Sequence, residues 1–183
     1  LDWYRNGDSL QEEGYSTHLV AREACSTIEN NDQKKPLFLY VPFNGVHSPF
    51  QVPEQYTKAY PGLVGNRQKL AGMLAAVDEA VGQIVASLKK AGMLENTLIV
   101  FCSDNGGIIE ADNRPLRSIK GDSFEGGIRV PGIAYWPGKI KAGSKSSELV
   151  YMSDWYPTFA ELAGLNAEEE ELDGISAVKV LKG

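Results

Sequence analysis

The chain of 183 residues has 18 lysines and arginines against 24 aspartates and glutamates, a net charge of −6, with 43% hydrophobic and 23% charged residues. That balance is ordinary for a globular protein and excludes disorder or a fibrous repeat, and the length suits one α/β core rather than two. No run of lysines and arginines builds a cationic face, so nucleic acid is not the expected partner and any anion site must be local.

Two cysteines, Cys25 and Cys102, are too few for a disulfide framework and have no metal-ligand spacing; both read as small buried hydrophobes. No apolar segment reads as long enough to span a bilayer, so no membrane partner is expected. The chain opens at Leu1 with neither an initiator methionine nor a signal-peptide pattern, which reads as a piece of a longer polypeptide.

In chain order, Leu1 to Gly14 is polar and irregular, with a turn at Asn6-Gly7-Asp8. A helix is predicted from Ser16, capped by Ser16 or Thr17, with Leu19, Val20, Ala24 and Ile28 on one face. It ends over Asn30 to Lys35, and Pro36 forbids its continuation. His18, on its first turn, reads as an exposed structural histidine. The apolar run Pro36 to Phe43 is predicted to be a strand buried on both faces, delivering His47 just past its carboxyl end. Taken alone, His47 is a loop histidine bonded to a backbone carbonyl. Phe50 to Gly65 reads as an irregular surface loop.

The clearest helix spans Asn66 to Gly92, with Leu70, Met73, Leu74, Val77, Val81, Ile84, Val85 and Leu88 forming one apolar stripe. Lys89 and Lys90 complement its dipole and Gly92 supplies the left-handed stop. Leu98 to Phe101 follows as a second buried strand and ends at Ser103-Asp104-Asn105-Gly106-Gly107. Strand, helix and strand predict a β-α-β unit with parallel strands, which would bring His47 and Asp104 to one sheet edge, where ligands bind. Asp104 and Asn105 offer hard oxygen donors suited to Ca²⁺ or Mg²⁺, although the same four residues also make an ordinary turn.

Downstream, Arg114, Arg117 and Lys120 cluster in one loop of an otherwise acidic chain. Lys120 is a compact charge suited to a tetrahedral oxyanion, whereas Arg117 could pair with a carboxylate such as Glu125. A Pro-bounded strand is predicted over Ile128 to Trp136, a capped helix over Asp154 to Gly164, and a solvated acidic run over Glu168 to Glu171.

Together these motifs resemble the sulfatase family of the alkaline-phosphatase-like superfamily, and more closely the arylsulfatase B, or N-acetylgalactosamine-4-sulfatase, type. The resemblance rests on His47-Ser48-Pro49, Gln51-Val52-Pro53-Glu54-Gln55-Tyr56, the Ala71 to Gly82 helix, Ser103 to Gly107, Pro115-Leu116-Arg117 with Lys120, Glu125 to Pro131, and Ser153-Asp154-Trp155 to Pro157-Thr158. It implies an α/β fold: a mixed, mainly parallel sheet flanked by helices, incomplete in this chain. It implies Asp104 and Asn105 as metal ligands of Ca²⁺ (Mg²⁺ being possible), His47 as the histidine at the leaving-group oxygen, and Lys120, with Arg117, on the sulfate. The substrate implied is a sulfated sugar, a glycosaminoglycan or an aryl sulfate; the compartment implied is secreted, periplasmic or lysosomal.

The C/S-x-P-x-R motif from which the family makes its formylglycine nucleophile does not occur here, since Cys25 is followed by Ser26-Thr27-Ile28-Glu29 and Cys102 by Ser103-Asp104. Residues 1–183 are therefore expected to be the central to carboxyl-terminal part of a catalytic domain, inactive alone, lacking the nucleophile segment and the small carboxyl-terminal domain. Ser118 stands where relatives commonly have glycine. The alternatives are a phosphodiesterase or phosphonate monoester hydrolase of the same superfamily, or a non-catalytic fragment. An incomplete sheet should expose apolar surface and make the isolated piece self-associate.

Overall fold

A computed structural model describes residues 3–165 and 171–183. The chain divides into two compact units, the first formed by residues 1–94 and 104–130, the second by residues 95–103 and 131–183.

The first unit opens with a two-residue hairpin, β1 (Tyr4–Arg5) and β2 (Asp8–Ser9), joined through Asn6 and Gly7. Both turn residues have positive φ, 54° and 92°, the geometry for which Asn-Gly is the preferred sequence. Helix α1 (Ser16–Glu29) follows, with Tyr15 at its N-cap and no side-chain capping bond, so neither Ser16 nor Thr17 caps it. Thr17 lies inside the helix and is buried with Leu19, Ala21, Ala24 and Ile28. Helix α3 (Gly65–Lys90) packs on α1 through Met73, Ala76, Val77, Ala80 and Leu88. Ser87 and Lys90 both donate to the Glu29 carboxylate, at 2.9 and 3.2 Å, and fasten the two helix ends together. Residues 50–65 are not wholly irregular, because Glu54–Lys58 forms the short helix α2, seated where the absent side chain of Gly72 lets the α2 backbone approach. By length and composition α3 is apolar enough to cross a membrane, contrary to expectation, with a window of mean hydropathy 1.3. Its packing on α1 and α2 accounts for that apolarity without a bilayer.

His18 is half-buried rather than exposed. Its Nε2–H donates to the Tyr56 hydroxyl (2.8 Å), which in turn donates to Glu79 (2.7 Å), linking α1, α2 and α3. The partners lie 38 and 61 positions away in sequence, which is why periodicity could not reveal them.

The run from Pro36 to Phe43 forms no strand. Its side chains alternate, Leu37, Leu39, Val41 and Phe43 being half-buried while Phe38 and Tyr40 are 74% and 76% exposed. The backbone is extended with the period of a strand, but it belongs to neither ladder among the described residues.

The second unit contains β3 (Ile99–Cys102) paired with β4 (Gly132–Tyr135), antiparallel, with Val100 opposite Ala134. The β-α-β unit with parallel strands is thus not formed by the described residues, and β3 is half-exposed rather than buried on both faces. Cys25 and Cys102 are free thiols and half-buried; burial raises the Cys102 thiol above the ordinary cysteine range. The carboxyl-terminal part carries α5 (Trp155–Leu162) and α6 (Val178–Lys182). Buried Asp154 starts α5 but does not cap it as expected; its carboxylate instead accepts from the backbone N–H of Tyr151 (2.7 Å) and of Ile175 (2.9 Å). Thr158 continues that knot, donating to the Asp154 carbonyl (2.6 Å) and accepting from Ala177 N–H (2.8 Å). Of the acidic run Glu168 to Glu171, all but exposed Glu171 lies outside the described residues.

Candidate functional site

Every sequence-predicted site residue falls in the first unit: His47 in the loop after the extended run, and Asp104, Asn105, Arg117 and Lys120 in the block of residues 104–130. That block is built by backbone meeting backbone at glycines. Gly106 N–H donates to the Gly127 carbonyl (2.8 Å), and a methyl group at Gly106 would collide with the Gly126 carbonyl oxygen. Gly126 N–H donates to the Arg117 carbonyl (2.7 Å), and a methyl there would strike the carbonyls of Ser118 and Arg117. Gly127, in the helical turn α4 (Glu125–Ile128), is closed off in the same way by the Asp122 carbonyl. No other residue allows approach this close.

This knot brings the two halves of the predicted site together. Lys120 N–H donates to the Gly107 carbonyl at 2.9 Å, so the lysine's backbone is fixed two residues from Asn105. Asn113 completes the clamp: its Oδ1 accepts from Gly107 N–H (3.0 Å), while its Nδ2 donates to the carbonyls of Gly107 (2.7 Å) and Ser118 (3.3 Å). Sequence reasoning missed Asn113. The available signal was a side chain with both donor and acceptor inside a loop that has no ladder to hold it. Ser118 has φ of 73°, the left-handed region, which is the physical reason a glycine suits this position; its hydroxyl donates to Asp122.

The cations divide. Arg114 is bound bidentately to Asp112, through Nε at 2.8 Å and Nη2 at 2.6 Å, and that guanidinium holds the Asp112 carboxyl far below the usual carboxylate range. Arg117 does not pair with Glu125; its guanidinium sits 3.6 Å from the centre of the Phe124 ring, while Glu125 pairs with Arg129 at 3.3 Å. An i,i+4 spacing along one helical turn favours that partner. Among the described residues, the Lys120 ammonium forms no ion pair.

His47 is exposed, and its Nδ1–H donates to the Ser48 carbonyl at 2.6 Å. That bond fixes the tautomer and leaves Nε2 for a ligand. The loop packs onto the helix layer at Gly45, where a side chain would meet Val77 and Thr17. His47 and Asp104 belong to the same unit, but the two parallel strands expected to bring them to one edge are not formed by the described residues.

Asp104 and Asn105 present a carboxylate and an amide carbonyl, donors that fit a hard divalent cation. Such an ion takes six to eight oxygens, and among the described residues no group of three His, Cys, Asp or Glu is placed to hold a metal. The residues present fit the cation as part of its shell.

Residues 1–165 match the sulfatase family model. The chain is 41% identical over 164 residues to arylsulfatase J of Mus musculus, covering 87% of this chain and 27% of that protein. It is 33% identical over 176 residues to N-acetylgalactosamine-6-sulfatase of Mus musculus, covering 91% of this chain and 33% of that protein. The crystal structure of Ps i-CgsB superposes with a TM-score of 0.92 at 41% identity, over 96% of this chain and 40% of that one; a complex of Ps i-CgsB with k-i-k-neocarrahexaose gives 0.90 at 40% identity, over the same shares of the two chains. PsFucS1 sulfatase from Pseudoalteromonas sp. gives 0.82 at 34% identity, over 91% of this chain and 34% of that one. The chain thus spans about a third of the length of the curated relatives it matches. The fold these structures share is the alkaline-phosphatase-like α/β fold, here present in part. With its glycine-knotted Asp104-to-Val130 block and a match over most of its length, this chain belongs to the sulfatase family.

Proposed function

We propose that the protein containing this chain is a sulfuric ester hydrolase acting on a sulfated sugar or glycosaminoglycan, and that these residues supply part of its site. The observation that supports the reading most is the bond from Lys120 N–H to the Gly107 carbonyl, which fixes the lysine's backbone against the glycine pair that follows Asp104 and Asn105. Substrate class is suggested by the relatives, which include an N-acetylgalactosamine-6-sulfatase and a protein crystallised with a carrahexaose.

Sulfatases generally use a metal ion. Here Asp104 and Asn105 would hold Ca²⁺, with Mg²⁺ the smaller alternative, and the bound ion neutralises charge on sulfuryl oxygens. Lys120 would bind the same sulfate as a point charge, assisted by Arg117, whose guanidinium stacks on Phe124. His47 Nε2, in the protonated imidazolium, donates to the departing alcohol oxygen while Nδ1–H stays on Ser48. The nucleophile is a formylglycine outside this chain, and by family habit the enzyme is secreted, periplasmic or lysosomal.

The test is hydrolysis of an aryl sulfate by the full-length parent, co-expressed with a formylglycine-generating enzyme, beside Lys120→Ala and Asp104→Ala. Each variant should lose about 10²-fold or more in kcat, the size of one preorganised electrostatic contact. Turnover of phosphodiesters in place of sulfate esters would move the parent to the phosphodiesterase or phosphonate hydrolase class. Inactivity on both would make it a non-catalytic relative.

A further inference from the structure

Between the 109–114 loop of the 104–130 block and the start of α3, the first unit has a shallow cleft of about 460 Å³ lined by Arg67, Ile109, Glu110, Ala111, Asp112 and Arg114. It is a built feature of the fold. The base of the 109–114 loop is held by Asn113, whose amide bonds Gly107 and Ser118, and Lys120 bonds the same Gly107 carbonyl. The outer side of the loop is fastened to the start of α3, where Arg67 donates to the Glu110 carbonyl and Asn66 Nδ2 to the Glu110 carboxylate at 3.4 Å. The cleft is thereby held in fixed register with the Lys120 backbone.

Its chemistry differs from that of an anion site. The two guanidinium groups, Arg67 and Arg114, stand with two carboxylates, Glu110 and Asp112, so a second sulfate would meet as much negative as positive charge. In the Arg114–Asp112 fork the guanidinium holds the carboxyl well below the usual carboxylate range, and the pair presents donors and acceptors side by side. Arg114 Nη1 takes no part in that fork, and Arg67 uses only Nη1 on Glu110, so donors remain on both. Ile109, 80% exposed, adds an apolar surface to the cleft. Matched donors and acceptors next to an apolar patch suit a pyranose ring, which offers vicinal hydroxyls along its edge and C–H groups on its face.

We infer that this cleft is a subsite for the uncharged part of a sugar ring neighbouring the sulfated one, so that Arg114, Asp112 and Ile109 set a preference for oligosaccharide over small sulfate esters. The inference rests on the sulfatase reading above. The full-length parent and its Arg114→Ala and Ile109→Ser variants would be compared on nitrophenyl sulfate and on tetrasaccharides from carrageenan and from chondroitin sulfate. Both residues are largely exposed, so the variants keep the fold. The ratio of kcat/KM for the better tetrasaccharide to that for nitrophenyl sulfate should fall about tenfold in Arg114→Ala, through KM, as for one lost polar contact to a ligand. It should fall less in Ile109→Ser. An unchanged ratio, an equal loss on both substrates, or a wild-type parent that prefers neither tetrasaccharide overturns the subsite while leaving the sulfatase standing. A parent inert on every sulfate ester removes both.

Discussion

The helix layer of α1 and α3 and the β3–β4 ribbon are built from comparably apolar sequence, yet they end in opposite states. In the helices Ile28 is 2%, Ala76 0% and Val77 5% exposed; in the ribbon Phe101 is 38%, Tyr135 47% and Ile133 60% exposed. A helix satisfies its backbone within itself, so two helices need only each other to bury their faces. A strand needs neighbours on both edges and cover on both faces, and a pair of strands supplies one neighbour and no cover. Among the described residues, the helices close their own hydrogen bonds, whereas the ribbon's outer edges have no ladder partner.

The largest effect on that contrast should come from Ile28→Ala, which opens a cavity in the helix layer. For a residue this buried, about 3–4 kcal/mol is expected in chemical denaturation of the 183-residue chain. A cost under about 1 kcal/mol would mean the layer is loosely packed and the contrast is false. Gly126→Ala probes a third kind of packing, backbone against backbone in the 104–130 block. The added methyl meets carbonyl oxygens on Arg117 and Ser118, which cannot swing aside as a side chain could. About 2–3 kcal/mol is expected, with loss of activity in the full-length parent even though the residue bears no reactive group. Full stability together with full activity would show that the knot does not position Lys120.

Ile133→Ser belongs at the other end of the scale. With 60% of the residue in solvent, its removal should change the stability of the isolated chain by about 0.5 kcal/mol or less. The same change should reduce self-association in sedimentation experiments, because it takes apolar surface off an open ribbon. A large destabilisation would show the ribbon to be covered in solution.

The same physics decides what could be read from sequence. Helices α1 and α3 were legible because their spacing of three and four reports a local bonding pattern, and Ala24, Ile28, Met73 and Val77 lie buried where that spacing puts them, although Leu74 of the same stripe is 57% exposed. The Asn6-Gly7 turn and the Asp154 helix start were legible for the same local reason. Pro36 to Phe43 has strand composition and even the alternation of a strand, but a strand is completed by partners, and composition does not name them. By charge alone Arg117 could pair with Glu125, whereas Glu125 meets Arg129 one turn along its own helix and Arg117 covers Phe124. His18, Tyr56 and Glu79 join three separate helices, and nothing local in any of them announces the others.

Acid should loosen the helix layer before it touches the ribbon. Glu29 is held below its ordinary range of about 4.5 first by the Ser87 hydroxyl and then by Lys90. Glu12 is held down chiefly by the Trp3 indole N–H, with Arg22 and Arg5 adding charge. For a carboxyl whose folded value lies below its unfolded one, the stabilisation is complete above the unfolded value and disappears as pH falls through the folded value. The thermal midpoint of the chain should therefore be level near neutrality and decline as pH drops below about 4.5. Both carboxylates are at the surface, so the decline should be shallow and weaker in high salt. Glu29→Gln keeps an acceptor for Ser87 but has no charge to lose, so it should flatten part of the slope by lowering the midpoint slightly at pH 7 while leaving it nearly unchanged in acid. An equally steep slope in that variant would remove the Ser87–Glu29–Lys90 clamp as the acid-sensitive contact between α1 and α3, leaving Glu12 and Asp112 to account for it.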